Sequence, residues 1–357
     1  MTRFAPRSVV HARGVGALLV LTVVTAVGTT PSAASVSHQR GSTIDRSMIW
    51  VASASAQAVT AYPVSSTGKV HPAEAVGPVR DPSAVWDPWG VAIGPKGTVL
   101  VQSFLSDATT FAFAPTSTGS LVLQRTFRID GPDTRALTVE PDGTAIIATG
   151  EGPAELESTS ATAAGQATSL YAVSSLHQTH TDEAVWHPWP SVLATGPTGV
   201  IAMAVVRRSG NALETWPENL TGAPTVVSGL GTQLGRCALS CTQLVVAAAS
   251  STKSWLVGVS GGGQTKVVRF PFGTHGNVAP NCVLAGPKTQ LGNELITGLA
   301  SSPATGDTYV LAKSAEFSGA GEVLRFGPAA CGDVAPLSTF TDAATGFSSA
   351  MGIAVSS

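Results

Sequence analysis

The segment Trp89-Gly-Val-Ala-Ile-Gly-Pro-Lys-Gly-Thr-Val-Leu-Val101 decides the fold. It contains an apolar strand, a tight Pro/Gly turn and a second apolar strand, which is the pattern of a β-hairpin. The pattern recurs about once every fifty residues, a period typical of repeat architectures. The chain is therefore predicted to consist of one hairpin-based unit, repeated. The further copies begin at Arg135, Ser191, Gly235, Thr297 and Met351.

Each unit continues beyond the hairpin with a third strand, which often carries an aromatic residue, and with a less regular fourth strand. Four antiparallel strands per unit are typical of a propeller blade. One long insertion, residues 151–168, shows no apolar period and is predicted to project from its blade. The third strands are predicted at Phe111-Ala-Phe113, Leu170-Tyr-Ala-Val173, Trp255-Leu-Val257 and Val323-Leu-Arg-Phe326.

The two ends of the chain supply complementary parts of one further unit. Met48-Ile-Trp-Val-Ala52 resembles a second strand without a first, and Met351-Gly-Ile-Ala-Val355 resembles a first strand without a second. Pairing them closes six units into a ring and removes the exposed sheet edges that invite aggregation. We therefore predict an all-β, six-bladed β-propeller over residues 47–357. The alternative is an open solenoid of the same repeats, whose free edges would need separate protection.

Residues 1–34 have the pattern of a secretion signal peptide. Three arginines precede an apolar stretch that starts at Gly14, and Ser32-Ala33-Ala34 fits a small-x-small cleavage site. An uncleaved anchor is the alternative, but the stretch is short for a membrane span, and no second run reaches that length. We expect residues 35–46 to be a linker. The mature protein is expected to be extracellular, either free or retained at the cell wall, with no integral membrane span.

Charge limits the class of partner. Removing residues 1–34 removes three arginines and no acidic residue, which leaves 17 basic and 22 acidic residues and a formal charge of −5. A nucleic-acid partner normally requires a basic face, so that class is excluded. We expect a monomer whose partner is a small molecule, a glycan or a protein.

The four cysteines fit an oxidising compartment. Cys237 and Cys241 flank one predicted hairpin turn, and Cys282 and Cys331 lie in the outer parts of two successive repeats. We favour these two pairs as disulfides, although four cysteines allow three connectivities. A metal site is the weaker interpretation, because the Cys237–Cys241 spacing has no matching second pair.

Several phrases resemble those of a known family. They are Asp87-Pro-Trp-Gly-Val-Ala92 with Pro95-Lys-Gly-Thr-Val-Leu-Val101, the closing Gly352-Ile-Ala-Val355, and the pair Asn277-Val-Ala-Pro280 and Asp333-Val-Ala-Pro336. They are similar to repeats of the NHL-type six-bladed propellers and of the neighbouring gluconolactonase-like family, including secreted bacterial members. The resemblance covers residues 47–357 and implies architecture more than activity, because propellers host many unrelated functions.

The resemblance also implies an enzymatic alternative. Gluconolactonase-like enzymes hold a divalent metal in the channel with carboxylates and amides, so a metal-dependent lactonase or hydrolase is the second hypothesis. Calcium is a cofactor only under that hypothesis, since it needs several oxygen ligands. The family's ligands match no set of positions in this chain. We otherwise predict no cofactor, no metal ligand and no catalytic residue.

Equivalent positions in the repeats predict a ligand site at the mouth of the central channel. The first strand of a blade lines this channel, so residues at its start surround the entrance. Asp87 and Asp133 occupy matching places just before two first strands, where the alternative is that each caps its own turn. The predicted ligand-binding residues are Trp89, Trp189, Arg135, Asp87, Asp133, Thr297 and Met351.

A doubled tryptophan phrase supports this site. Val85-Trp86-Asp-Pro-Trp89 and Val185-Trp186-His-Pro-Trp189 precede the first strands of blades 2 and 4. Indole rings stack on sugar faces and on cations, so two aromatic platforms beside the channel would suit either ligand. The alternative is that these tryptophans fill gaps between blades. The sequence therefore predicts a secreted propeller that acts as a binding or scaffold module.

Overall fold

The computed structural model describes most of the predicted propeller. The chain divides into two units, Met1–Ile44 and Asp45–Ser357, and the first lies outside the described residues. The described residues are 47–54, 56–77, 86–103, 109–115, 120–129, 134–149, 155–160, 162–167, 171–173, 193–207, 210–220, 223–228, 230, 243–260, 265–292, 294–314 and 319–357.

The described strands form six sheets in a ring, each of which is one blade of a β-propeller. From the channel outwards, blade 1 contains β26 (Ala350–Val355), β1 (Met48–Ser53), β2 (Ala58–Pro63) and β4 (Glu74–Val76). Blade 2 contains β5 (Pro88–Ile93), β6 (Val99–Ser103), β7 (Thr109–Pro115), β8 (Leu121–Ile129) and β12 (Gly165–Ala167). Blade 3 contains β9 (Thr134–Val139), β10 (Ala145–Thr149), β11 (Glu155–Thr159) and β13 (Tyr171–Val173).

The other three blades follow the same order. Blade 4 contains β14 (Leu193–Thr195), β15 (Ile201–Arg207), β16 (Gly210–Trp216) and β17 (Thr225–Val227). Blade 5 contains β18 (Gln243–Ala249), β19 (Ser254–Ser260), β20 (Lys266–Pro271) and β21 (Cys282–Leu284). Blade 6 contains β22 (Leu295–Ser301), β23 (Thr308–Lys313), β24 (Gly321–Phe326), β25 (Ser338–Asp342) and β3 (Gly68–Val70). Short 3₁₀ turns lie at Pro95–Gly97, Glu218–Leu220, Ser250–Thr252 and Pro287–Thr289.

The ring closes as predicted. The innermost strands β26, β5, β9, β14, β18 and β22 each lie beside the next around the channel. Strand β26 pairs antiparallel with β1, placing Val355 opposite Ile49 and Ala354 opposite Trp50. The C-terminal strand therefore completes the N-terminal blade and removes its open edge.

Apolar residues pack in the six seams between adjacent blades, one cluster to each seam. Strand β6 shows why the sequence folds this way, since all of it is buried. Val99 and Val101 face blade 1 with Trp86, while Leu100 faces blade 3 with Leu137. A strand covered on both faces favours continuous apolar and β-branched residues, which matches the composition of this chain.

Blade 3 differs from the prediction for residues 151–168. This segment does not simply project, because Glu155–Thr159 forms the third strand β11, paired with β10. Tyr171–Val173, predicted as part of the third strand, is the fourth. The error has a physical cause: β11 has only one large apolar residue, Leu156, and its Ser158 and Thr159 are fully buried by neighbouring strands.

In blade 5, the described strands lie one position nearer the channel than predicted. Gln243–Ala249 was predicted as a second strand, yet it lies beside β14 and β22 in the inner ring and is the first. Trp255 is consequently in the second strand, and Lys266–Pro271 is the third. Successive antiparallel strands share the same two-residue alternation, so the pattern alone cannot number them. The predicted first strand at Gly235 lies outside the described residues.

Among the described residues, loops at the outer edge tie four of the blades to the blade before them. In four blades a glycine between the third and fourth strands pairs in parallel with the preceding blade's outermost strand. All four glycines have positive φ, between 65° and 78°, a conformation that glycine adopts without strain. The pairs are Gly68 with Phe340, Gly165 with Phe127, Gly276 with Val227 and Gly332 with Leu284.

Two seams carry further links at this edge. A disulfide joins Cys282 of blade 5 to Cys331 of blade 6, with the Cα atoms 5.6 Å apart, which confirms one predicted pair. Tyr62 of blade 1 donates a hydrogen bond of 2.7 Å to the Asp342 carboxylate of blade 6. The predicted pair Cys237 and Cys241 lies outside the described residues.

Candidate functional site at the channel mouth

The channel-mouth positions share a backbone feature that the sequence did not reveal. In blades 1, 2, 3 and 6 the first strand has one extra residue where it begins, which forms a β-bulge against the second strand. In blade 2, for example, Pro88 lies opposite Ser103 and Gly90 lies opposite Gln102, which leaves Trp89 as the extra residue. Bulges redirect a side chain and are frequent near active sites. The four bulge residues are Met351, Trp89, Arg135 and Thr297.

The residue after the bulge lets the inner strands touch. A Cβ atom on Gly352 would lie 2.8 Å from the Trp89 carbonyl oxygen, and one on Gly298 would lie 2.7 Å from Ile353 Cγ2. Glycine is therefore required where one first strand crosses close to the next. The close contact fixes the spacing of the bulges around the channel.

Thr297 and Met351 are buried at the mouth and hold blade 6 against blade 1. Their exposed fractions are 2% and 1%. Thr297 Oγ1 donates a hydrogen bond of 3.1 Å to the Ala350 carbonyl oxygen across the seam. Both residues therefore lie buried beneath the surface of the channel mouth.

Asp87 and Trp89 form the accessible part of the mouth in blade 2, since both are only partly buried. The Asp87 backbone N–H donates to Ser103 Oγ at 3.0 Å. No described residue donates a hydrogen bond to the Asp87 carboxylate, so the turn cap considered from the sequence is not formed there. Burial raises the pKa of this carboxyl group above its ordinary value. A desolvated carboxylate thus lies two residues from a partly exposed indole.

Trp86 has a packing role, in agreement with the alternative considered for it. Its ring meets Phe111 and Phe113 edge-on, with centroids 5.0 and 6.1 Å away. Its Nε1 donates to the Gln57 carbonyl oxygen at 2.7 Å. Trp86 therefore fills the seam between blades 1 and 2 and supports the turn that carries Asp87.

Gln102 is a site residue that sequence reasoning missed. It is fully buried opposite Gly90, and neither atom of its amide has a hydrogen-bond partner among the described residues. Its cross-strand neighbour Thr110 is also fully buried, and in the same part of the chain its hydroxyl has no partner either. Leaving such a group unpaired costs about 1–3 kcal/mol. The only sequence signal is a polar residue inside the apolar strand Val99-Leu-Val-Gln102.

Several predicted site residues are only partly placed. Arg135 lies at the bulge of β9, but its side chain is outside the description. Asp133 and Trp189 lie outside the described residues altogether. Within the described ranges, no three His, Cys, Asp or Glu side chains lie close enough to hold a metal ion. No helix in that part of the chain is long and apolar enough to cross a membrane.

Comparison with known proteins adds no family. No protein-family model matches the chain, and no curated protein matches it. Strand pairing alone therefore establishes the six-bladed propeller, and membership of the NHL-type or gluconolactonase-like families stays a prediction.

Proposed function

We propose that this protein is exported and acts as a binding module, with a small ligand held at the channel mouth beside Asp87 and Trp89. The observation that carries the proposal is the Asp87 carboxylate, which is partly buried, accepts no hydrogen bond from the described residues and lies two residues before the partly exposed Trp89. A carboxylate of this kind accepts hydrogen bonds from hydroxyl or ammonium groups of a ligand.

The chemistry of the mouth selects the ligand class. An indole face binds a sugar ring or an organic cation, and a carboxylate bonds the polar groups of either. On the neighbouring strand, opposite Gly90, the fully buried amide of Gln102 has no hydrogen-bond partner among the described residues. The equivalence of the repeats predicts Arg135, Asp133 and Trp189 as further residues of this site. We therefore propose a hydroxyl-rich or cationic small molecule as the ligand.

Export is part of the proposal. The Cys282–Cys331 disulfide supports an oxidising destination, and the signal pattern of residues 1–34 predicts the route. The mass of the mature chain tests this directly, since cleavage after Ala34 leaves residues 35–357. A secreted protein that retains residues 1–34 would overturn the predicted processing.

The binding test uses residues 35–357, a panel of neutral sugars and a panel of small quaternary ammonium ions, measured by calorimetry. Trp89→Ala and Asp87→Asn are each expected to weaken binding at least tenfold, which is about 1.4 kcal/mol. Leu337→Ala is the control, because this apolar side chain is 64% exposed on the outer part of blade 6. Unchanged affinity in both mouth variants would overturn the proposed site.

A further inference from the structure

A cavity lies in the seam between blades 4 and 5, at the opposite face of the ring from the channel mouth. Its volume is about 300 Å³. Its walls include the hairpin turn after β14, so it lies where first strands end, whereas Trp89 lies where one begins. Ligand pockets start at about this size. The cavity is therefore separate from the site of the proposed function.

The next seam, between blades 5 and 6, is closed at its outer edge by the Cys282–Cys331 disulfide. The cavity that Cys282 lines there measures about 10 Å³. Both seams have the same bridging loop: Gly276 N donates to the Val226 carbonyl oxygen at 2.7 Å, and Gly332 N donates to that of Val283 at 2.8 Å. The two seams therefore share this backbone connection and differ in the link beside it.

The paired registers identify which residues replace the disulfide. Cys282 lies two positions before the bridging residue Leu284, and Thr225 lies two positions before Val227. Cys331 immediately precedes the bridging glycine in blade 6, and His275 does so in blade 5. Thr225 and His275 thus occupy the places of the two cysteines, and both line the open cavity.

The cavity has an aromatic wall. Trp255 is buried, and Phe272 meets its ring at a centroid distance of 4.7 Å and an angle of 62°. Gly196 makes room for the indole, since a Cβ atom at this position would lie 3.2 Å from Trp255 Cη2. The partly exposed Phe272 side chain, backed by the buried indole, is the apolar surface on which a flat or chair-shaped ring can stack.

The rest of the lining is polar and largely uncharged. Thr198, Thr215 and Thr225 contribute hydroxyl groups, and His275 is exposed at the rim. None of the described lining residues is a carboxylate, a lysine or an arginine. An ionic ligand would have no counter-charge among these residues, whereas the hydroxyls of a neutral sugar would have partners.

We propose that the seam between blades 4 and 5 binds one neutral pyranose sugar unit, stacked on the aromatic wall. This inference goes beyond the proposed function, because it concerns another face of the ring and other residues. The aromatic wall takes the apolar face of the ring, while the threonine hydroxyls and the imidazole take its hydroxyl groups.

The decisive test copies the closed seam onto the open one. The variant Thr225→Cys/His275→Cys is prepared as residues 35–357, and its new crosslink is verified by thiol counting and mass spectrometry. The probes are methyl glucoside, methyl galactoside, methyl mannoside and their β-linked disaccharides, detected by saturation-transfer NMR. We expect the oxidised variant to lose binding at least tenfold and to regain it on reduction, while wild-type protein with the same reductant keeps it.

Two further variants keep the test decisive if the crosslink does not form. Phe272→Ala and His275→Ala are expected to weaken sugar binding at least tenfold, whereas the exposed control Leu337→Ala leaves it unchanged. Absence of binding for every probe to the wild-type protein would overturn the proposal. So would binding that survives both Phe272→Ala and His275→Ala. A loss with Trp89→Ala alone would instead assign the sugar to the channel mouth.

Discussion

The seams on the two sides of blade 5 have the same backbone connection but different links at the outer edge. Both seams contain a bridging glycine and a parallel pair at that edge. In the seam with blade 6 a disulfide joins the two edges, and Arg269 Nη2 also donates to the Pro328 carbonyl oxygen at 2.9 Å. In the seam with blade 4 the same two positions hold Thr225 and His275, and a cavity of about 300 Å³ is present. An open cavity therefore lies in the seam that lacks the covalent link.

Removing the disulfide is the largest expected change. Cys282→Ala/Cys331→Ala should lower the free energy of unfolding by about 4 kcal/mol, because the crosslink spans 49 residues and restricts the unfolded chain. Denaturant unfolding without reductant measures the loss. With reductant the wild type and the variant should converge, and equal stabilities without reductant would contradict a structural role for this link.

Adding the equivalent link to the open seam is the converse experiment. Oxidised Thr225→Cys/His275→Cys should be about 3 kcal/mol more stable than its reduced form, because a span of similar length restricts the unfolded chain but an engineered disulfide often delivers less than a native one. The difference between oxidised and reduced samples is read from paired denaturation curves, with the wild type under both conditions as control. No gain from a verified crosslink would show that the two seams differ in more than these two side chains.

A third seam, between blades 6 and 1, is linked by a hydrogen bond in place of a covalent bond. Burial raises the pKa of Asp342, but hydrogen bonds from Tyr62, Thr345 and Ala344 outweigh it, and the net pKa is lowered. Asp342→Asn should therefore cost about 2 kcal/mol at neutral pH, because the bonds to a charged acceptor are weakened.

The pH dependence of this link has a definite sign. A lowered pKa means that the carboxylate stabilises the fold above its ordinary pKa and loses that contribution as pH falls through the folded-state pKa. The stability difference between wild type and Asp342→Asn should stay constant from neutral pH to about pH 5 and then shrink in acid. Thermal unfolding at a series of pH values measures it. A difference that grows in acid would contradict the lowered pKa.

Much of the architecture could be predicted from the sequence because propeller blades repeat a local pattern. The incomplete units at Met48–Ser53 and Ala350–Val355 predicted ring closure, and the strand pairing confirms it. The alignment also placed Trp89 and Thr297 at equivalent positions, which the structure shows to be bulges. Local hairpin patterns specify pairing between neighbouring strands, which is why these predictions succeeded.

Other features depend on contacts between blades, which no local pattern contains. Strand β11 is buried by its neighbours despite its polar sequence, and Gln102 looks ordinary until its burial is known. The open seam has one signal in the sequence. The phrases Gly276-Asn-Val-Ala-Pro280 and Gly332-Asp-Val-Ala-Pro336 match, but His275 precedes the first and Cys331 precedes the second. Only the registers of the outer strands show that Thr225 and Cys282 are the matching partners.

The smallest expected effect concerns Asp87, and it tests whether this residue lowers the stability of the fold at the proposed channel-mouth site. Burial raises the pKa of Asp87, so its ionised form destabilises the fold increasingly as pH rises above the ordinary pKa. Asp87→Asn should then be about 0.5 kcal/mol more stable than wild type at neutral pH and equal to it in acid. Denaturation at neutral and at acidic pH measures the gain. Asp342→Asn is the comparison variant, because it is expected to lose stability at neutral pH. A residue that costs stability and is needed for ligand affinity has the character of a functional site. Equal or lower stability at neutral pH would show that a partner already satisfies Asp87, and the carboxylate would then no longer support a ligand at the mouth.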